Sequence, residues 1–164
     1  MLVIIFGLPG TGKSFFGEQL SRQLDWIYIN SDRIRQEMDM KGKYQSGDKK
    51  KVYEAVFQKA KMFLKKNHNV ILDATFSDRK QLAEAKKLAK NIGTELKLIE
   101  MKADKQTVEE RVRSKRKYSE AGIDVYKKIK CEFDPVNEPH LELDTSNTSL
   151  QKLIEMAKQY LFHD

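Results

Sequence analysis

The sequence predicts a single three-layer α/β domain, a parallel sheet covered by helices on both faces. Three observations predict it. Short apolar runs of β type recur along the 164 residues, with helical stretches between them. Two of those runs, LVIIF at 2–6 and VIL at 70–72, are apolar throughout, as strands buried on both faces must be. No internal repeat, Ser/Gly linker or low-complexity tract divides the chain. Crossovers between parallel strands are then right-handed.

The first strand, Leu2–Phe6, runs directly into glycine. Gly7-Leu8-Pro9-Gly10-Thr11-Gly12-Lys13-Ser14 matches G-x-x-x-x-G-K-[ST] at every position. Glycines there let backbone N–H groups turn inward and meet phosphate oxygens with no Cβ in the way. The amphipathic run FFGEQLSRQL predicts a helix at about 13–24, whose N-terminal dipole favours an anion. Lys13 is placed to neutralise β- and γ-phosphates, and the Ser14 hydroxyl to take one Mg²⁺ position. A structural turn, with Ser14 an ordinary first-turn residue, is the plain alternative. The strand before and the helix after are the context that a phosphate-binding loop requires. Gly7, Leu8, Pro9, Gly10, Thr11, Gly12, Lys13, Ser14 and Phe15 therefore form the candidate nucleotide-binding set.

The second strand, Trp26–Asn30, ends in NSDRIR ahead of a helix at about 33–40. A carboxylate at that strand's carboxyl end faces the phosphate cradle and can accept the proton of an attacking hydroxyl, which makes Asp32 a candidate base. Arg35, three residues on, shares its helix face and can hold an acceptor phosphate or the transferring group. Helix capping is the competing role, for which Ser31 or Asp32 is suited. The helix expected at 48–67 places Val52, Val56, Phe57, Met62, Phe63 and Leu64 at roughly helical spacing. The third strand, Val70–Asp73, ends in VILDATF, where Asp73 resembles a Walker-B carboxylate that binds Mg²⁺ through water or orients its neighbours. Thr75 and Arg79 follow on the same rim as acceptor-side candidates.

A helix at about 78–92, a strand at Glu95–Met101, a helix at about 105–117, a strand at His140–Leu143 and a helix at about 149–162 complete the alternation. Two polar, basic stretches interrupt it, at 40–51 and 111–128. Ligands in such folds sit at the carboxyl ends of strands, and polar insertions there act as covers. Arg111, Arg113, Arg116 and Lys117 are placed for a lid that stabilises phosphoryl charge. A solvated basic helix is the alternative.

Hydrophobic residues make up 40% of the chain, aromatics 9%, and the formal net charge is +7. The charge is uneven. Residues 41–66 hold nine lysines against Asp48 and Glu54, a net of +7; residues 105–130 hold nine Lys or Arg against four carboxylates, a net of +5. Such segments suit phosphates or nucleic acid as well as they suit plain solvation. The lone Cys131 excludes an internal disulfide, and His68, His140 and His163 sit in no ligand motif. No apolar run approaches the roughly 20 residues that cross a bilayer, and no leader pattern opens the chain. A cytoplasmic protein with no membrane partner is expected.

With these residues assembled, the chain resembles the small P-loop kinases grouped with the kinase half of phage polynucleotide kinase and with zeta-toxin-like proteins, the AAA_33-type kinases. The resemblance rests on GLPGTGKS, NSDRIRQEM, NVILDATF with Arg79, the arginine-rich stretch with AGIDVYKKI, and FDPVNEPHLELDTS before a last helix. S-D-x-x-R after the second strand separates this group from adenylate kinases, whose GxPGxGKGT loop and Thr-Gly acceptor motif do not occur here. The resemblance implies a P-loop NTPase fold of adenylate-kinase type. Five parallel strands in the order 2-3-1-4-5 and a helical lid at about 111–130 would form one domain over 1–164. It implies ATP and Mg²⁺ as cofactors, Lys13 and Ser14 at phosphates and Mg²⁺, and Asp32 as general base. Arg35 and Asp73 would lie at the acceptor, and Arg116, with Arg111, on the lid. No Asp-x-Asp phosphatase motif is present, so a bifunctional end-healing enzyme is not expected.

The resulting expectation is a kinase that phosphorylates a hydroxyl, with a polynucleotide or nucleoside 5′-hydroxyl as the leading acceptor. A small metabolite, sugar nucleotide or antibiotic is the alternative within enzymes. A nucleotide-gated RNA-binding module or slow ATPase is the alternative of another class. Asp32 argues against that class, since a binding module needs no carboxylate there, and Tyr44, Tyr53 and Tyr118 are sparse as a stacking platform.

Overall fold

The computed structural model describes residues 1–43, 45–113 and 123–163. Its strands are β1 (Leu2–Phe6), β2 (Ile27–Asn30), β3 (Val70–Asp73), β4 (Leu96–Lys102) and β5 (Leu141–Asp144). Its helices are α1 (Lys13–Leu24), α2 (Ser31–Glu37), α3 (Ser46–Leu64), α4 (Arg79–Ile92), α5 (Lys105–Arg113), α6 (Ile123–Glu132) and α7 (Leu150–Phe162). All strand pairs are parallel, in the order β2-β3-β1-β4-β5, which is the expected topology.

Alternation along the strands builds two cores. Leu2, Ile4, Phe6, Leu72 and Leu98 point to one face, where Val52, Val56, Ala60 and Leu64 of α3 and Leu82, Ala85 and Ala89 of α4 cover them. Val3, Ile5, Ile71, Ile99 and Met101 point to the other, against Phe16 and Leu20 of α1 and Leu153, Ile154, Ala157 and Leu161 of α7. A third, small cluster joins Val108 and Val112 of α5 to Tyr126 of α6.

Local chemistry moves several expected boundaries. The Trp26 N–H closes α1 on the Ser21 carbonyl at 3.0 Å after Asp25 takes a left-handed φ of 53°, so β2 starts one residue later than expected. Helix α2 starts at Ser31, not 33, because Asn30 caps it: Asn30 Oδ1 accepts the Arg33 N–H at 2.9 Å. Neither Ser31 nor Asp32 is the cap. The 40–51 insertion is partly helix, since α3 begins at Ser46 and runs only to Leu64, before a turn in which Asn67 has φ 62°. The buried stripe of α3 repeats every fourth residue, and Met62, read as part of it, is 47% exposed. Asp78 and Gln81 form a capping box at the start of α4. Among the described residues no helix is long and apolar enough to cross a membrane.

Candidate active site

Because every strand runs the same way, all the carboxyl ends meet at one edge. A cavity of about 700 Å³ opens there. Pro9, Gly10, Gly12, Lys13, Ser14 and Phe15 line one side of it. Gly7, Leu8 and Thr11 hold the loop from behind. A Cβ on Gly7 would collide with the Met101 carbonyl of β4, and one on Gly10 would lie 2.8 Å from Val108 of α5. Both glycines have positive φ, 132° and 94°, so they satisfy the turn and the close approach together. Thr11 Oγ1 and Lys13 Nζ each donate to the Leu8 carbonyl at 2.8 Å, which keeps the lysine over the loop. Phe15 is 63% exposed at the cavity mouth.

Ser14 and Asp73, the two candidate Mg²⁺ residues, are joined through Asn30. Asn30 Nδ2 lies 3.2 Å from Ser14 Oγ and 2.6 Å from Asp73 Oδ2. Tyr28 donates its hydroxyl to the same Asp73 oxygen at 2.5 Å. Asn30 and Asp73 are Cα partners across the β2–β3 pairing, so the register itself sets them side by side. A hydroxyl and a carboxylate held together beside a phosphate loop form an oxygen donor set that fits Mg²⁺.

Asp32, Arg35 and Thr75 line the same cavity as the loop. Arg35 is buried and donates through Nη1 to the Lys43 carbonyl. Thr75 accepts the Gly7 N–H through its carbonyl at 3.4 Å. Lys49, Tyr53, Ser77 and Gln81 complete this side, none of them singled out from the sequence as part of the site. The Tyr53 hydroxyl accepts the Phe76 N–H at 2.9 Å, and Phe76 holds a left-handed φ of 49° beneath it. Such strain is stored where surrounding structure over-determines it.

Arg111 reaches the loop from α5. Its Nη1 donates to Thr145 Oγ1 at 2.7 Å and to the Gly10 carbonyl at 3.4 Å, and its Nη2 donates to the Thr145 carbonyl at 3.0 Å. Thr145 in turn donates to the Thr11 carbonyl at 3.0 Å, tying the β5–α7 turn to the phosphate loop. Its only sequence signal was its position in LELDTS at a strand's end. Arg79 is not brought to this cavity. It starts α4, its N–H donating to Asp134 Oδ2 at 3.1 Å, and it lines a separate cavity of about 160 Å³. Arg116 lies outside the described residues, as do Tyr44, Lys117 and Tyr118.

Away from the cavity, His140 Nε2 lies 3.2 Å from Glu100 and 3.5 Å from Glu142. Lys102 sits between the same two carboxylates, at 3.2 and 2.7 Å, and supplies the positive charge there. Its hydrogen bond to Glu142 raises the lysine pKa and lowers that of Glu142.

Burial pushes the Tyr28 and Tyr53 hydroxyls well above the ordinary tyrosine range, helped by the charge of Asp73 at Tyr28 and of Asp32 at Tyr53. The unfolded chain therefore loses these protons first. Stability from the two phenols is complete below about pH 10 and is lost as the pH climbs above it. An ultraviolet titration should leave at least two of the six tyrosines un-ionised at about pH 11 until the chain unfolds. All six ionising near pH 10 in a folded chain would contradict this.

Comparison with known proteins agrees with the fold. The APS kinase CysC of Mycobacterium tuberculosis, solved with AMPPNP and APS, superposes with a TM-score of 0.75 at 16% identity, covering 98% of this chain and 96% of that one. A gluconokinase from Sinorhizobium meliloti gives 0.71 at 16% identity, covering 94% and 87%. The shikimate kinase of Aquifex aeolicus gives 0.63 at 16%, covering 98% and 96%. Among curated sequences, the uncharacterized protein Rv2004c of Mycobacterium tuberculosis is 29% identical over 100 residues, 54% of this chain. That match spans 20% of the relative's own length. The AAA_33 family, described as an AAA domain, matches residues 2–136. That match takes in the phosphate loop, Asn30, Asp32 and Asp73, and the chain belongs to the AAA_33 family.

Proposed function

We propose that this protein is an ATP- and Mg²⁺-dependent phosphotransferase with a hydroxyl acceptor. The observation that carries the reading is that Asp32 and Arg35 line one cavity together with Lys13 and Ser14, with the capping of α2 left to Asn30. The acceptor oxygen attacks the γ-phosphorus as its proton passes to the Asp32 carboxylate. The bond from that phosphorus to the bridging oxygen breaks, and ADP leaves. Lys13 neutralises phosphate charge, and Arg111 and the lid's Arg116 add to it. Ser14 and Asp73 would hold Mg²⁺, which would supply positive charge to the phosphates when bound. Several proteins of this fold bear kinase names, among them an APS kinase, a gluconokinase and a shikimate kinase, which supports the reading.

For the acceptor, a nucleoside or polynucleotide 5′-hydroxyl follows from the resemblance of NSDRIRQEM and of the basic segments. A small anionic metabolite is the second reading, favoured by where the 41–66 lysines go. Lys49 lines the cavity and lies 3.9 Å from Glu132, Lys50 and Lys59 pair with Glu54 and Glu37, and Lys51, Lys61, Lys65 and Lys66 are exposed. Transfer of labelled γ-phosphate to a panel of 5′-hydroxyl RNA and DNA, nucleosides and a metabolite mixture tests both. Label on an oligonucleotide selects the first, and label only on a small molecule selects the second. ATP binding with no labelled acceptor, together with steeply salt-dependent RNA binding, would replace both with a nucleotide-gated binding module.

A further inference from the structure

We propose that Tyr28 and Asn30 act as a two-donor clamp on Asp73, positioning its carboxylate for the Mg²⁺ it shares with Ser14. The inference rests on the phosphotransferase reading above and adds two positioning residues to it. Both donors converge on the same atom: the Tyr28 hydroxyl at 2.5 Å and Asn30 Nδ2 at 2.6 Å from Asp73 Oδ2. Among the described residues no hydrogen bond falls on Oδ1, although Asp73 is only 1% exposed and lines the cavity. A carboxylate this buried needs its charge answered. With Oδ2 occupied twice, the oxygen left for a cation or its water shell is Oδ1. Asn30 Nδ2, 3.2 Å from Ser14 Oγ, holds the second metal-side oxygen in the same frame. Outer partners that orient a ligand in this way typically change metal affinity by about 10- to 100-fold when lost.

The position of the Tyr28 ring also bears on a glycine of α1. Gly17 lies inside α1, where glycine is less stable than alanine. A Cβ there would come within 2.8 Å of Tyr28 Cε2 and 3.3 Å of Ile5 Cδ1. The ring of Tyr28 thus occupies the space that the side chain gave up. Arg33 also lies over the ring, its guanidinium carbon 5.4 Å from the centroid, and pairs with Glu18. The hydroxyl is held on Asp73 by α1 and α2 together.

The test uses the full chain and needs no knowledge of the acceptor. AMPPNP affinity is measured by calorimetry with Mg²⁺ and with chelator, alongside Mn²⁺ binding by electron paramagnetic resonance, in wild type, Tyr28→Phe, Gly17→Ala and Asp73→Asn. Tyr28→Phe keeps the ring and loses one donor. It is expected to reduce the Mg²⁺-dependent gain in AMPPNP affinity and the Mn²⁺ affinity about tenfold, leaving metal-free affinity unchanged. Gly17→Ala keeps every donor but displaces the ring, and should move both readouts the same way; it also serves if Tyr28→Phe folds poorly. A wild-type metal response in both variants, with Asp73→Asn losing it, overturns the clamp alone. A wild-type response in Asp73→Asn overturns the metal role of Asp73, and the clamp with it. No Mg²⁺ response in the wild type overturns the metal-dependent phosphotransferase reading itself.

Discussion

Asp32→Asn is expected to lower phosphoryl transfer by about 10²- to 10⁴-fold while leaving Mg²⁺-AMPPNP affinity within about twofold of wild type. The substitution preserves shape and removes the proton acceptor. Asn30 caps α2 through its own side chain, so the amide leaves the helix start intact. Asp32 sits in the first turn of α2 and outside the Gly7–Ser14 loop, so under the proposed role nucleotide binding has little to lose. Single-turnover transfer to whichever acceptor takes label, with calorimetry of AMPPNP, gives the two numbers. Retained turnover would remove the base role. Loss of nucleotide affinity in parallel would instead make Asp32 part of the nucleotide site. A slow ATPase would show neither transfer nor a change on mutation, which separates that class from the one proposed.

Phe6→Ala should cost roughly 3–5 kcal/mol, the range for emptying a well-packed aromatic site. Phe6 is 1% exposed on the central strand, belongs to the core cluster that includes Leu72 and Leu98, and lies edge-on to His140 with centroids 5.5 Å apart. Domains of this kind hold only about 5–15 kcal/mol, so the variant stands near the threshold of folding. It also precedes Gly7, so a relaxed cavity loosens the start of the phosphate loop. Phe15 provides the contrast. It is the same residue type nine positions on, but 63% exposed, and Phe15→Ala should stay within about 0.5 kcal/mol. Urea unfolding followed by circular dichroism compares them. A loss below about 1 kcal/mol for Phe6→Ala would mean that the core closes over the gap, against this account of the packing.

What the residues determined unaided was the material that carries its own geometry in consecutive positions. LVIIF declares a strand covered on both faces, GLPGTGKS needs its glycines wherever it occurs, and Val52, Val56 and Leu64 recur at helical spacing, although which neighbours complete their buried stripe was left to the structure. These features, with the β-α alternation, suffice for the fold class and for one wall of the site. Only the tertiary structure decided which residues, distant in sequence, share the cavity. Parallel pairing sets Asn30 opposite Asp73, 43 residues away, and brings Tyr28 to the same carboxylate. Arg111 meets Thr145 across 34 residues, and Tyr53 meets Phe76 across 23. Arg79, close to Asp73 in sequence, is carried to a separate cavity by the capped start of α4. The physical reason is one of range. Backbone torsions and side-chain periodicity act over a few residues and can be read from them. Strand register and helix placement are chosen by burial of the whole core, and a single hydrogen bond between distant side chains leaves no local mark in the sequence.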